Sequence, residues 1–388
     1  MAAAGWPPGR PPFPTAPGDG AAEFTLVRGK TTLSTLRSTY PLKMLNLHGA
    51  ARKCSGGDQG AKDGGELPGA EWVYMLGHGG GIVSGDVMRV KVCVGEGCTA
   101  VMTTQSFTKV FTQHNGQIAR QLMRARVGAG ALLAVLSDPI VPFRDSRFAQ
   151  HQEFDLAPSG TVHGGQGESV ANGVGVPGDG GEGVEGGSLV LIDWMTSGRQ
   201  ARGEEWDMEH YQSVNRVLMS SRCILHDALK LEREPLNASV QERMHPFHCL
   251  AMVALIGPRT RKLAQHVREL IRKRQAERIV DKDGNAAPSV GNKRPRHPGE
   301  EEEEPWDGLI CSVSDLPEGN GVVLRVAGHE HSSVESFLRM HLKGASTYSS
   351  LSPPPSPFPP PPISLFPRGQ QIADHLDVSV CVFVMGRP

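Results

Sequence analysis

Apolar side chains recur at every second position over short stretches of this chain, and only late in it do they recur at helical spacing. Met88, Val90, Val92 and Val94 alternate with Arg89, Lys91 and Cys93, the period of a strand with one buried face. Ala100 to Gln105, Ala131 to Leu136, Ser188 to Trp194 and Val322 to Ala327 are short apolar or β-branched runs, mostly bounded by Gly, Ser or Asp, and they predict further strands. Two helices are predicted. One spans about Thr260 to Arg272, with Leu263, Val267, Leu270 and Ile271 on a single face. The other opens on Ser332-Ser-Val-Glu335, a capping-box pattern, buries Val334, Phe337, Leu338 and Leu342, and stops at Gly344. Many short strands followed by late helices predict a mainly β fold, a large antiparallel β-sheet or β-helical-like scaffold with a few helices toward the C-terminal part.

Four stretches lack this patterning. Residues 1–20 are rich in Pro, Gly and Ala and read as a disordered leader. Residues 162–187 are glycine-rich, and residues 275–305 run from Lys293-Arg294-Pro295-Arg296 into Glu300 to Glu304. Residues 346–388 form a tail that carries the proline tracts Pro353 to Pro355 and Pro359 to Pro362. The glycine-rich, charged and proline-rich tracts cannot bury enough apolar surface to offset the entropy of ordering them. What remains is one β domain over residues 21–345, interrupted by the two insertions, with about 270 residues folded on the basis of where apolar periodicity stops. The basic cluster suits a solvated loop better than a nucleic-acid patch, and the prolines suit a spacer better than a docking motif.

Charge and cysteine content narrow the class further. A formal net charge of -1 gives no overall field for nucleic acid or membrane. Seven scattered cysteines, without a Cys-x-x-Cys pair, argue against a disulfide framework and for a reducing compartment. No basic segment followed by an apolar core opens the chain, and no apolar run reaches transmembrane length. A cytoplasmic protein is expected.

The segment Leu76-Gly-His-Gly-Gly-Gly-Ile-Val-Ser-Gly-Asp86 is the densest in chemistry, with five glycines among eleven residues and a carboxylate just before a strand. Gly79, Gly80, Gly81 and Gly85 free the backbone for positive φ and close approach. Asp86 is then either part of a tight structural corner or a placed oxygen ligand. His78-Gly-Gly-Gly81 matches an oxyanion-hole tetrapeptide of some hydrolases, but that chemistry needs a Gly-x-Ser-x-Gly elbow. The nearest approach, Gly167-Glu-Ser-Val-Ala171, falls in the glycine-rich insertion. Neither P-loop nor dinucleotide spacing is present. His245 with His248 and Cys249, Cys223 with His226, and His329 with His331 offer two ligands each, short of the four of structural zinc. Asp193, after Leu189-Val-Leu-Ile192, and Glu204 are carboxylates beside apolar or glycine residues. A buried carboxylate must be paired, hydrogen-bonded or metal-bound, and Arg199 and Arg202 stand near enough in sequence to pair them.

These blocks, in order, resemble the urease accessory protein D family (UreD/UreH). The resemblance is carried by Gly79 to Asp86, Thr103-Thr-Gln-Ser-Phe-Thr-Lys-Val110, Ser137-Asp-Pro-Ile-Val-Pro-Phe143 with Ser146-Arg-Phe148, and Asp193-Trp-Met-Thr-Ser-Gly-Arg-Gln-Ala-Arg-Gly-Glu-Glu-Trp206. Gly308-Leu-Ile-Cys311 and Arg325-Val-Ala-Gly328 complete the series, and after Gly344 the likeness is expected to end. The resemblance implies a non-enzymatic scaffold that binds apo-urease and UreF, which brings the GTPase UreG. It also implies a water-filled passage for a transient nickel ion and no tightly bound cofactor. Oxygen donors suit such a route, because imidazole and thiolate would hold nickel too firmly. On this reading Asp86, Asp193 and Glu204 line the passage with Thr108 as a hydroxyl neighbour, while Gly79, Gly80, Gly81, Gly85, Arg199 and Arg202 keep its walls in shape. The other readings are a hydrolase using His78 to Gly81 as an oxyanion hole, and a β-sandwich interaction module without a metal role.

Overall fold

A computed structural model describes residues 15–46, 69–159, 185–233, 238–280, 306 and 308–342. The chain opens with a hairpin, β1 (Asp19–Val27) and β2 (Lys30–Ser38), and then β3 (Leu42–Asn46) crosses to a second sheet and pairs with β4 (Glu71–Gly77). From there it winds. Each turn takes a strand of the second sheet, a short corner strand and a strand of the first sheet. The first three turns are β4, β5 (Gly81–Ile82), β6 (Val87–Val94); β7 (Thr99–Thr104), β8 (Thr108–Val110), β9 (Ala119–Val127); and β10 (Leu132–Leu136), β11 (Ile140–Pro142), β12 (Arg147–Leu156). A fourth turn runs from β13 (Ser188–Thr196) to β14 (His210–Met219). The chain then adds β15 (Arg222–Glu232), the short helix α1 (Val240–Met244), β16 (Cys249–Ile256), α2 (Arg261–Val280), β17 (Leu309–Asp315), β18 (Gly321–Gly328) and α3 (His331–Leu342).

The mainly β expectation holds, and so do the expected strands and late helices; of the two forms expected, antiparallel sheet or β-helical-like scaffold, the second describes the centre. In the first sheet, β1, β6, β9, β12 and β14 are successive parallel neighbours; in the second, β4, β7, β10 and β13 are. Antiparallel pairs are confined to the flanks, such as β1 with β2, β14 with β15, and β16 with β13 and β18. Alternation reports which face of a strand is buried but carries no information about its neighbour's direction. Parallel neighbours need a crossover, usually a helix. Here a strand of the opposing sheet serves as the crossover, so the centre is β-helical and not antiparallel.

Two apolar layers result. Between the sheets lie Phe24, Val92, Met123, Phe148, Phe154, Leu189 and Leu191, all buried. On the outer face of the second sheet, Ile192, Trp194, Val253, Leu324 and Val326 pack beneath Leu263, Val267 and Ile271 of α2 and Val334, Phe337, Leu338 and Leu342 of α3. β13 therefore buries both faces, which is why its sequence is a nearly continuous apolar run. The predicted apolar face of each helix is the one that docks.

Some boundaries move. α2 continues to Val280, into the stretch read as an insertion, and β1 starts at Asp19, within the stretch read as a leader. Residues 162–184, 281–305 and 346–388 lie outside the described residues. α3 begins at His331, and the Glu335 carboxylate is bound by Arg339 one turn ahead, so no capping box forms there. A capping box does close α1, where Ser239 and Glu242 exchange side chain to backbone hydrogen bonds. Among the described residues no helix is long and apolar enough to cross a membrane.

The corners need glycine where backbones meet. A Cβ on Gly81 would stand 2.4 Å from the carbonyl oxygen of Lys109 and 2.7 Å from the Phe111 ring. Gly81→Ala is expected to destabilise the protein by about 2 kcal/mol, since neither neighbour can yield without breaking β5 from β8. Denaturant unfolding checks this, and an unchanged midpoint would show that the corner relaxes freely.

Candidate functional site

Winding stacks four loop segments at one corner of the molecule, and these carry the glycine-rich, Thr103, Ser137 and Asp193 blocks. Gly81 lies beside Lys109, Thr108 beside Ile140, and Ile140 beside Met195. Sequence-distant blocks are thus neighbours on successive turns.

In the first segment Gly79, Gly80 and Gly85 all have positive φ. Asp86 closes the turn that follows: its backbone N–H donates to the Val83 carbonyl at 3.0 Å, and its Oδ2 accepts from the Val83 N–H at 3.3 Å. Asp86 is half-buried and makes the structural corner. The oxyanion reading gains no nucleophile. Ser84 donates to the carbonyls of Gln117 and His114, the His78 ring lies against Tyr40, and Gly167 to Ala171 lie outside the described residues.

Thr108 opens β8 and lines a cavity of about 260 Å³ between the sheets, together with Gly80, Gly81, Thr104, Ser106 and Gln121. Asp86 and Glu204 do not line it.

Glu204 is buried and closed off. Arg199 grips both of its carboxylate oxygens, with Nε to Oε2 at 2.7 Å, and the Arg144 N–H adds a third contact at 3.3 Å. The Arg199 guanidinium lies 3.7 Å above the Phe143 ring. Hydrogen bonding from Arg199 holds the Glu204 carboxyl below its usual range. Ion pairing, one of the two readings of this carboxylate, is what the geometry displays. Arg202 is exposed on the short turn after Arg199, which ends on Gly203 at φ 70°.

Asp193 is different. It points from β13 into the space between the sheets, in the inward row that also holds Leu191 and Met195. Its carboxylate accepts from three neutral donors across that space: Ser213 Oγ at 2.6 Å, Asn215 Nδ2 at 2.6 Å and Gln150 Nε2 at 3.0 Å. Burial pushes its pKa up, against the downward pull of those donors, and nearby Asp227 raises it further. Asp193, Tyr211, Asp227 and Arg325 line a second inter-sheet cavity of about 330 Å³. The cavities are linked by side chains. Gln121 of the first cavity is the register partner of Gln150, which binds Asp193 of the second.

Sequence reasoning missed Gln121, Gln150, Gln152, Ser213, Asn215, Asp227 and Arg325 as a set. A signal existed. The buried parity of β12 reads Phe148, Gln150, Gln152, Phe154, and that of β14 reads Tyr211, Ser213, Asn215, Val217. Two polar residues at the centre of each inward row mark a polar stripe in an apolar layer. The donors it presents are oxygens and amides, the class that suits hard or weakly held cations. The histidine and cysteine pairs do not join it. His248 meets Ser197 at 3.2 Å, the buried Cys249 thiol is pushed up by desolvation, and among the described residues no three His, Cys, Asp or Glu side chains gather around one point.

The chain matches the family model described as UreD urease accessory protein over residues 17–166 and 184–357, which passes the end expected at Gly344. It is 34% identical over 319 residues to urease accessory protein D of Arabidopsis thaliana, covering 81% of this chain and 92% of that protein. Urease accessory protein D of Oryza sativa subsp. indica is 30% identical over 338 residues, 87% of this chain and 95% of the relative. Urease accessory protein UreD of Sorangium cellulosum is 32% identical over 322 residues, 83% of this chain and 78% of the relative. With the family model matching most of its length and relatives at 30% identity or more covered almost end to end, this chain belongs to the UreD urease accessory protein family.

Proposed function

We propose that this chain is a cytoplasmic, non-enzymatic scaffold of urease maturation, through which nickel passes to apo-urease from a UreF–UreG assembly. The observation that carries the reading is Asp193. A half-buried carboxylate held between the sheets by three neutral donors carries a desolvation cost that they only partly offset, and such a cost beside a cavity is a mark of function. A divalent cation entering the adjoining cavity would offset that cost directly. With one carboxylate among hydroxyls and amides, the ion is attracted without being trapped by imidazole or thiolate. The polar stripe from Gln121 through Gln150 to Asp193 would extend the route between the two cavities, with Thr108 at its other end. Helices α2 and α3 on the outer face of the second sheet are the surface offered to UreF.

Co-expression of urease and its other accessory proteins, with and without this chain, tests the reading through the nickel content of purified urease. Nickel near full occupancy only with the chain is expected; equal occupancy in both preparations would end the proposal.

A further inference from the structure

The Asp193 cavity lies where β15 of the first sheet faces β16, β17 and β18 of the second, and an ion pair spans its rim. Arg325 of β18 reaches across the gap and binds Asp227 of β15. Both residues sit in the inward rows. Arg325 stands opposite Met252, which stands opposite Asp193, and Asp227 stands opposite Asn215, which itself donates to Asp193. Arg325 belongs to one of the two late blocks, Gly308 to Cys311 and Arg325 to Gly328, that no role has yet absorbed. Both blocks contribute to the cavity wall, through Ile310 and through Arg325 to Ala327.

We propose that Arg325 is the gate and resident counter-charge of this cavity: it holds Asp227 while the cavity is empty and is displaced when a divalent cation takes its place. The inference takes its cargo from the nickel reading above. Two observations carry it. First, the ion completes the charge balance: two carboxylates and one guanidinium leave one negative charge, and a divalent ion replacing the guanidinium leaves none. Second, the pair is unequal. Asp227 is 15% exposed and Arg325 48% exposed, so the arginine can swing into water while the carboxylate stays. A pair with one partner in solvent is weakly held.

Equilibrium dialysis of the purified full chain against nickel sulfate tests this. Arg325→Gln should lower the Kd for nickel about tenfold, the scale of one coupled charge. Arg325→Lys, which keeps a cation in place, should remain near the unsubstituted value. Adding Asp193→Asn and Asp227→Asn to Arg325→Gln should abolish the gain. Equal Kd for the unsubstituted chain and Arg325→Gln, or a gain that survives loss of both aspartates, would overturn the gate. The two proposals fail separately. If Asp193→Asn starves co-expressed urease of nickel while Arg325→Gln leaves Kd unchanged, only the gate is lost. If urease fills with nickel despite Asp193→Asn, the passage is lost and dialysis alone judges the gate.

Discussion

Asp193→Asn should reduce the nickel content of co-expressed urease by about tenfold or more, in line with losses seen when a tuned metal-site environment is altered, while leaving the fold no less stable at pH 7. The two halves of this result have one cause. Burial raises the Asp193 pKa above its usual 3.8 in the folded state. Below that value folded and unfolded chains both hold the proton. As pH rises the unfolded chain ionises first, so the folded state loses stability until pH passes the raised folded value. An uncharged amide of the same size removes this loss. Stability of the unsubstituted chain should therefore decline from pH 4 to pH 7 more than that of Asp193→Asn, as read from urea midpoints at both values. A variant that is weaker at pH 7 but equal at pH 4 would show that the charged form is the one the fold prefers. Asp86→Ala is the matched comparison. Its carboxylate closes a turn and lines neither cavity, so it should lower thermal stability and leave nickel delivery by the folded fraction intact.

The second large effect is structural. Glu204→Ala removes the partner of an arginine that is 27% exposed and stacked on Phe143, and should destabilise the protein by roughly 3 kcal/mol, the range for orphaning one member of a mostly buried pair. Arg199→Ala should cost a similar amount, and the double substitution much less than the two together. A double-mutant cycle in urea gives the coupling directly. Additive losses would mean that the pair contributes packing and not charge. The pH dependence has the opposite sign to that of Asp193. Arg199 holds the Glu204 carboxyl below its usual 4.5, so its contribution is complete above that value and is lost as pH falls through the lower folded one. The same acid titration thus separates a carboxylate that builds the corner from one that burdens the core.

That separation was not legible from the chain. Asp86, Asp193 and Glu204 each stand beside glycine or an apolar run, and local context ranks them alike. Folding gives Asp86 to a turn, Glu204 to an arginine five residues before it, and Asp193 to donors 20 to 43 residues away. Only the first two partners are near in sequence. Arg325 and Asp227 are separated by 98 residues, and nothing local links them.

By itself, the sequence determined which residues alternate, where glycine had to stand and which helix faces were apolar, because these follow from strand and helix periods and from the space a side chain needs. It also carried the ordered blocks that mark the family. Tertiary structure decided strand direction, the stacking of four blocks at one corner and the partners of Asp193 and Asp227. Those depend on which turn of the winding chain lies against which. They are contacts between distant segments, set by packing two sheets face to face, and no local pattern of residues encodes them.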